Sequence, residues 1–143
     1  MKLNSFADFG LRALLVLAAS ERPTWSSTEL ASRLAVSRDH LIKVLQRLAA
    51  GGYVHLARGA GGGVRLAKSP QDIRLGTVLA WLEDDTPLVE CFRADGGACV
   101  LTGFCGLRPR LARAQQAFYA ELDGSTLADC VNPALVRFAQ VPD

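Results

Sequence analysis

The chain has 143 residues, half of them apolar, which suffices for the core of one domain or little more and argues against disorder. Its net charge of +2 conceals an asymmetry: residues 1–70 carry ten Lys or Arg against four Asp or Glu, so +6, and residues 71–143 carry six against ten, so −4. A polyanion such as a nucleic acid would therefore meet the N-terminal half. The longest apolar run, residues 11–19, contains Arg12, which excludes a membrane span and favours a cytoplasmic protein.

A first helix is predicted over residues 5–19. Asn4 and Ser5 are of the types that cap helix N-termini, and apolar residues recur at helical spacing through this stretch. Asp8 and Arg12 are four residues apart and therefore share one face of the helix. The simplest expectation from this spacing is an ion pair between them.

A second and a third helix follow in close succession. Ser26, with Glu29 three residues later, forms a capping-box pattern for a helix that runs to about Leu34. After a short turn, Ser37 caps a third helix that continues through Ala50. One side of this third helix is apolar, and the opposite side carries polar residues: Asp39, His40, Lys43, Gln46 and Arg47.

Two short strands come next, over residues 53–57 and 63–66, joined by the glycine-rich turn 58–62. This order of elements is typical of a winged helix-turn-helix, whose second helix of the pair enters the major groove of DNA. The glycines do not fit a nucleotide-binding loop, because they lead into a strand and no Lys-Ser or Lys-Thr follows. We therefore expect double-stranded DNA as the partner, contacted by Ser37, Arg38, His40, Lys43, Gln46, Arg47, Arg58 and Arg65.

Three cysteines, Cys91, Cys99 and Cys105, lie within fifteen residues on a polar, glycine-rich stretch that follows a helix predicted over residues 73–83. A structural zinc site, a disulfide, three inert buried thiols and an iron–sulfur cluster are the competing explanations. Zinc sites favour more closely spaced cysteines, disulfides suit exported proteins, and a polar loop argues against burial. An iron–sulfur cluster accepts widely spaced thiolates and is therefore the favoured explanation.

The last part of the chain predicts a long helix that begins at Leu107. A single apolar stripe runs along it at a period near 3.5 residues, formed by Leu107, Leu111, Ala114, Phe118 and Leu122. Such a stripe suits the seam of a homodimer, and the alternative is packing against its own domain. Cys130 follows in an apolar helical pattern, which favours a small core thiol over a fourth cluster ligand.

Together these elements predict a mainly α fold in two parts. Residues 1–80 form a winged helix-turn-helix DNA-binding domain with a small β-hairpin wing. Residues 81–143 form a cluster-binding and dimerisation region with the long helix. A thiol-redox enzyme would need a C-x-x-C motif, which the sequence lacks, so a regulator and not an enzyme is expected.

Five stretches and the three cysteines together resemble one known family: residues 3–14, 36–44, 52–54, 58–66 and 121–129 are similar to the Rrf-type winged-helix regulators, above all to their nitric-oxide-sensitive repressors. The resemblance implies a homodimeric repressor of an inverted-repeat operator. It implies an iron–sulfur cluster, 4Fe–4S in preference to 2Fe–2S, that reacts with nitric oxide. Its ligands would be Cys91, Cys99 and Cys105, with the partner subunit's Asp8 as the fourth. A regulator that senses iron–sulfur or redox status is the alternative.

Overall fold

A computed structural model describes residues 2–140, which form a mainly α fold with one antiparallel hairpin, as the sequence predicts. The helices are α1 (Ser5–Ala19), α2 (Ser27–Leu34), α3 (Arg38–Ala50), α4 (Leu75–Glu83), α5 (Arg108–Leu122) and α6 (Pro133–Gln140). The strands are β1 (Val54–Ala57) and β2 (Gly63–Leu66). In the part of the chain described, no helix is long and apolar enough to cross a membrane.

The predicted caps set the beginnings of the first three helices. The Asn4 side chain accepts a hydrogen bond from the Ala7 N–H at 2.7 Å. Ser26 and Glu29 form the complete capping box, each side chain accepting from the other residue's backbone N–H. Ala35 ends α2 in the left-handed conformation, with φ of +54°, and so makes the tight turn that precedes α3.

Asn4 also ties the start of α1 to the end of α4. Its backbone N–H donates to Glu83 at 3.1 Å, and its side-chain amide donates to the Thr86 hydroxyl at 2.7 Å. Helix α1 itself lies at the centre of the core and packs against α2, α3, α4 and α6. Seven of its fifteen residues are buried, so its placement governs the rest of the fold.

The hairpin is anchored to the chain that precedes α2. Strands β1 and β2 pair with Val54 opposite Leu66 and Leu56 opposite Val64. Trp25 adds a bridge, since its backbone N–H donates to Val64 at 3.0 Å and its carbonyl accepts from the Val64 N–H at 2.7 Å. The wing is therefore held against the helix-turn-helix by backbone hydrogen bonds as well as by the buried Trp25 side chain.

Helix α4 begins at Leu75, two residues later than expected, because a short 3₁₀ turn (Pro70–Asp72) precedes it. The expected domain division at residue 80 falls within α4. Helix α5 docks directly on α4, where the Asp123 carboxylate accepts from the Thr77 N–H at 2.7 Å. The assignment of DNA binding to residues 1–80, and of cluster binding and dimerisation to residues 81–143, stays a prediction.

Cys130 lies in a 3₁₀ turn (Leu127–Cys130) where the apolar spacing indicated a helical pattern. Its side chain is half-buried and lines a small apolar cavity together with leucines of α1 and α4. The position agrees with a thiol at the margin of the core.

Gly76 permits the close approach of α5 to α4. A Cβ at Gly76 would lie 1.9 Å from the Tyr119 carbonyl oxygen. Because this oxygen belongs to the backbone, the clash cannot be relieved by moving a side chain. Gly76→Ala should therefore lower the free energy of unfolding by about 1–3 kcal/mol, although Gly→Ala within a helix is ordinarily favourable. Urea unfolding followed by circular dichroism measures the loss. Gly106→Ala is the control, because its Cβ would meet only Arg110 at 3.5 Å; equal stability of the two variants would contradict the packing argument.

Candidate nucleic-acid interface and cysteine loop

Helix α3 presents one continuous exposed face. Arg38, Asp39, Lys43 and Gln46 are exposed on it, while Leu41, Val44, Leu45 and Leu48 are buried on the other side. An exposed polar face on the second helix of a helix-turn-helix is the surface that such proteins insert into the major groove.

An open cleft of about 590 Å³ lies between helix α3 and the wing. Arg38 and Gln46 line it from α3, and Arg58 and Gly63 line it from the wing. Apolar residues that the sequence pattern did not single out also line it, among them Ile42 and Leu56. An apolar side chain in such a cleft can contact a thymine methyl group. Ile42 and Leu56 are therefore candidates for base recognition, which a search of the sequence for charged residues does not find.

The first turn of α3 is fixed by side-chain hydrogen bonds. The Ser37 hydroxyl accepts from the His40 N–H at 3.4 Å and so acts as the cap, while remaining exposed. Arg38 donates from Nε to the Thr28 hydroxyl at 2.9 Å, which ties its guanidinium to α2. Because only one edge of the guanidinium is used, Arg38 keeps donors for a phosphate or a base.

Two of the predicted DNA contacts, His40 and Arg47, lie on a flank of α3 and not on its exposed face. The His40 ring packs edge-on against Phe9, with ring centroids 4.9 Å apart. Arg47 is held by Trp81 of α4, to whose carbonyl its guanidinium donates. The two residues are seven apart and so share one side of the helix, where distant aromatic residues cover them. Contact of either residue with DNA stays a prediction, and the exposed residues of α3 are the stronger candidates.

The wing tip is open and basic. Its turn, residues 58–62, is closed by a hydrogen bond from the Gly62 N–H to the Gly59 carbonyl at 3.0 Å. Gly59 and Gly61 have positive φ and free space around the position of a Cβ, so the backbone can approach a ligand closely. Arg58 and Arg65 are both exposed, which is the arrangement that a wing uses against the DNA backbone.

The loop between α4 and α5 carries Cys91, Cys99 and Cys105 as free, half-buried thiols. It folds back on Glu90, whose carboxylate accepts from the Ala98 N–H at 3.2 Å. The Asp95 carboxylate holds the loop further, because it accepts hydrogen bonds from the Arg93 guanidinium and from the Gly97 N–H. The hydrogen bond from Arg93 lowers the pKa of the Asp95 carboxyl, and the one from Gly97 adds to the effect.

The donor set of this loop fits an iron–sulfur cluster in its chemistry, since three free thiols on one segment are the ligands that such clusters require. Among residues 2–140, however, no three His, Cys, Asp or Glu side chains come together as a metal site. Ligation by the three cysteines therefore stays a prediction.

Asp8 is engaged by Arg12 in the ion pair that the four-residue spacing predicts. Arg12 donates through Nε to Oδ1 at 3.0 Å and through Nη2 to Oδ2 at 2.5 Å. Both groups are about half-exposed. A role for Asp8 as a ligand therefore requires this ion pair to open.

Comparison with known proteins identifies the group to which this architecture belongs. The profile of the Rrf2 family, described as an iron-dependent transcriptional regulator, matches residues 3–133. The chain belongs to the Rrf2 family. It is 45% identical over 133 residues to the HTH-type transcriptional regulator NsrR of Bacillus subtilis (strain 168), covering 92% of this chain and 90% of that protein. It is 42% identical over 130 residues to NsrR of Geobacillus kaustophilus (strain HTA426), covering 90% and 88%.

Solved structures agree with this assignment. T. potens IscR superposes with a TM-score of 0.71 at 25% identity, covering all of this chain and 93% of the other. CymR, the global cysteine regulator of B. subtilis, superposes with a TM-score of 0.68 at 25% identity, covering 92% and 99%. The chain is thus a DNA-binding transcriptional regulator of the Rrf2 family, with a winged-helix fold.

Salt dependence tests the interface of this Rrf2 protein. Lys43→Ala and Arg58→Ala should each weaken DNA binding and reduce the slope of log K against log [salt] by about one, because each removes one counterion-displacing charge. Fluorescence anisotropy with a labelled duplex at several salt concentrations gives the slope. Arg137→Ala, an exposed arginine on α6, is the matched control; a similar change in its slope would mean that binding is diffuse and not centred on α3 and the wing.

Proposed function

We propose that this protein is a homodimeric repressor that holds an iron–sulfur cluster, 4Fe–4S in preference to 2Fe–2S, and that releases an inverted-repeat operator in response to nitric oxide. The observation that carries the proposal is the set of three free thiols on one loop of an Rrf2 winged-helix chain. The similarity to proteins named NsrR and to a family described as iron-dependent supports it.

Cys91, Cys99 and Cys105 would hold the cluster, and the partner subunit's Asp8 would supply the fourth ligand. When bound, the cluster supplies iron atoms that react with nitric oxide. The protein's own part is to present three thiolates at one place. Between the cysteines the segment is irregular apart from one 3₁₀ turn and contains Gly96, Gly97 and Gly103, so no long helix or strand would have to break to bring the thiols together.

Dimerisation is supported by apolar residues that one chain leaves uncovered. Phe118 and Leu122, in the second half of α5, pack against the core of their own chain. Ahead of them, Leu107 is 59% exposed, Phe104 77% and Val100 86%. An apolar surface of this kind on a small domain favours association, and a two-fold dimer matches the symmetry of an inverted repeat.

Cysteine replacements test ligation. Cys91→Ser, Cys99→Ser and Cys105→Ser should each abolish or strongly reduce the iron and sulfide bound after anaerobic purification, because each removes one of three thiolates. Cys130→Ser is the control and should retain nearly all of the iron, since Cys130 lies in the apolar cavity beside α1 and α4. Equal loss of iron in all four variants would overturn this ligand assignment.

The anaerobic protein also tests the effector. Nitric oxide titrated into the iron-loaded dimer should weaken operator binding in proportion to the iron modified, measured by anisotropy and absorption together. An iron-loaded protein whose DNA affinity follows reduction or loss of the cluster, and not nitric oxide, would instead identify a sensor of iron–sulfur or redox status.

Asp8→Ala tests the fourth ligand. If Asp8 binds the cluster, the variant should keep much of its iron through the three thiolates but show an altered absorption spectrum. Its DNA affinity should also depend less on whether the cluster is present. If Asp8 serves only as the partner of Arg12, the variant should lose a few tenths of a kcal/mol of stability at most and keep the wild-type spectrum.

A further inference from the structure

The C-terminal end of the recognition helix α3 is fastened to α4 by a reciprocal contact between Arg47 and Trp81, which we term the Arg47–Trp81 clamp. The Arg47 guanidinium lies over the Trp81 ring, 3.9 Å from its centroid. It donates to the Trp81 carbonyl at 2.8 Å, and the Trp81 indole N–H donates back to the Arg47 carbonyl at 2.9 Å. Arg47 also donates through Nε to the same carbonyl at 3.2 Å, so three hydrogen bonds and a stacked cation leave little freedom between the two helix ends.

Gly51 makes the clamp tight. It directly follows α3 as its C-terminal cap, and a Cβ there would lie 2.6 Å from the Trp81 indole nitrogen. Its φ is −81°, so the conformation does not require glycine and the steric reason alone applies. The indole therefore rests directly on the backbone at the end of α3, with no space for a side chain between them.

The other end of the clamp leads to the cysteine loop. Asp84, which directly follows α4 as its C-terminal cap, forms an ion pair with Arg47 at 3.5 Å. Asp84 also lines an open surface cavity of about 490 Å³ together with Phe92 and Arg93, which follow Cys91 directly. Through Asp84 the clamp therefore borders a cavity that the residues after Cys91 also line.

Geometry makes the orientation of α3 sensitive to such a contact. Its 13 residues span about 20 Å, so a tilt of about 5° at one end moves the other by about 1.7 Å. Hydrogen bonds to base edges do not survive a displacement of that size, whereas attraction to phosphates does. A contact that fixes the tilt of α3 would therefore act on sequence preference more than on general affinity.

We propose that Arg47 and Trp81 are positioning residues for DNA recognition: they set the tilt of α3 on α4 and link it to the segment that carries Cys91. The inference rests on the proposed use of α3 to read DNA. It assigns to Arg47 a task other than contact with DNA, which its 25% exposed side chain and its occupied donors favour.

Arg47→Lys is the decisive variant, because it keeps the charge but loses the planar, forked guanidinium that the clamp uses. The measurement is the ratio of two affinities, for an inverted-repeat duplex selected by the wild-type protein and for a random duplex of equal length. We expect this ratio to fall about tenfold, the scale of one lost base contact, with affinity for the random duplex unchanged. Should Arg47→Lys fail to fold, Trp81→Phe, which loses the indole N–H, provides the same measurement.

Arg33 provides a matched control. It lies over the Phe138 ring at 4.3 Å and donates to the Phe138 carbonyl, so it makes the same arginine contacts between α2 and α6, without the return hydrogen bond of an indole. Arg33→Lys should lower the melting temperature as much as Arg47→Lys does, yet leave the affinity ratio unchanged.

An unchanged ratio in both clamp variants, or an equal fall in Arg33→Lys, would overturn the positioning role. A wild-type protein that prefers no duplex over random DNA would overturn the proposed function, and this inference with it. The two failures are distinguishable because only the second is visible in the wild-type protein alone.

Discussion

Helices α1, α3 and α4 meet at Gly10, and the rest of the structure depends on that crossing. A Cβ at Gly10 would lie 2.8 Å from Leu82 and 3.3 Å from Val44, so α1 approaches both neighbours with only a hydrogen atom between them. Helix α1 also carries Asp8 and packs against α6. The position of α1 thus fixes the positions of α3, of α4 before the cysteine loop, and of α6 relative to one another.

Arginine serves two different purposes in this chain. Arg22, Arg33 and Arg47 each lie over an aromatic ring, at 4.2, 4.3 and 3.9 Å from its centroid. These cations cover apolar surface and join separate segments, as a planar guanidinium can. The +6 charge of the N-terminal half therefore overstates the positive charge that is available to a polyanion, and the exposed residues proposed to contact DNA, such as Lys43 and Arg58, are fewer.

The features that the sequence predicts best are those determined by residues close together in the chain. The caps at Asn4 and Ser26 and the glycine turn of the wing depend on neighbouring residues, and the structure confirms them. The packing of His40 against Phe9 and of Arg47 against Trp81 is not visible in the sequence, because these aromatic partners come from distant parts of the chain and helical periodicity does not reveal them. Contact of either residue with DNA stays a prediction. The cysteine spacing indicates the donor chemistry of the loop, but it does not fix the distances between the three thiols, because glycines and an irregular backbone separate them.

The hydrogen bonds of Asn4 have a practical consequence for handling the protein. Since its N–H and amide hold the beginning of α1 against Glu83 and Thr86, the first few residues are part of the packed structure. They also line a groove that includes Asp8. An affinity tag fused directly before these residues would crowd the groove and disturb the contacts of Asn4 with Glu83 and Thr86. A tag placed after α6 would leave these contacts intact.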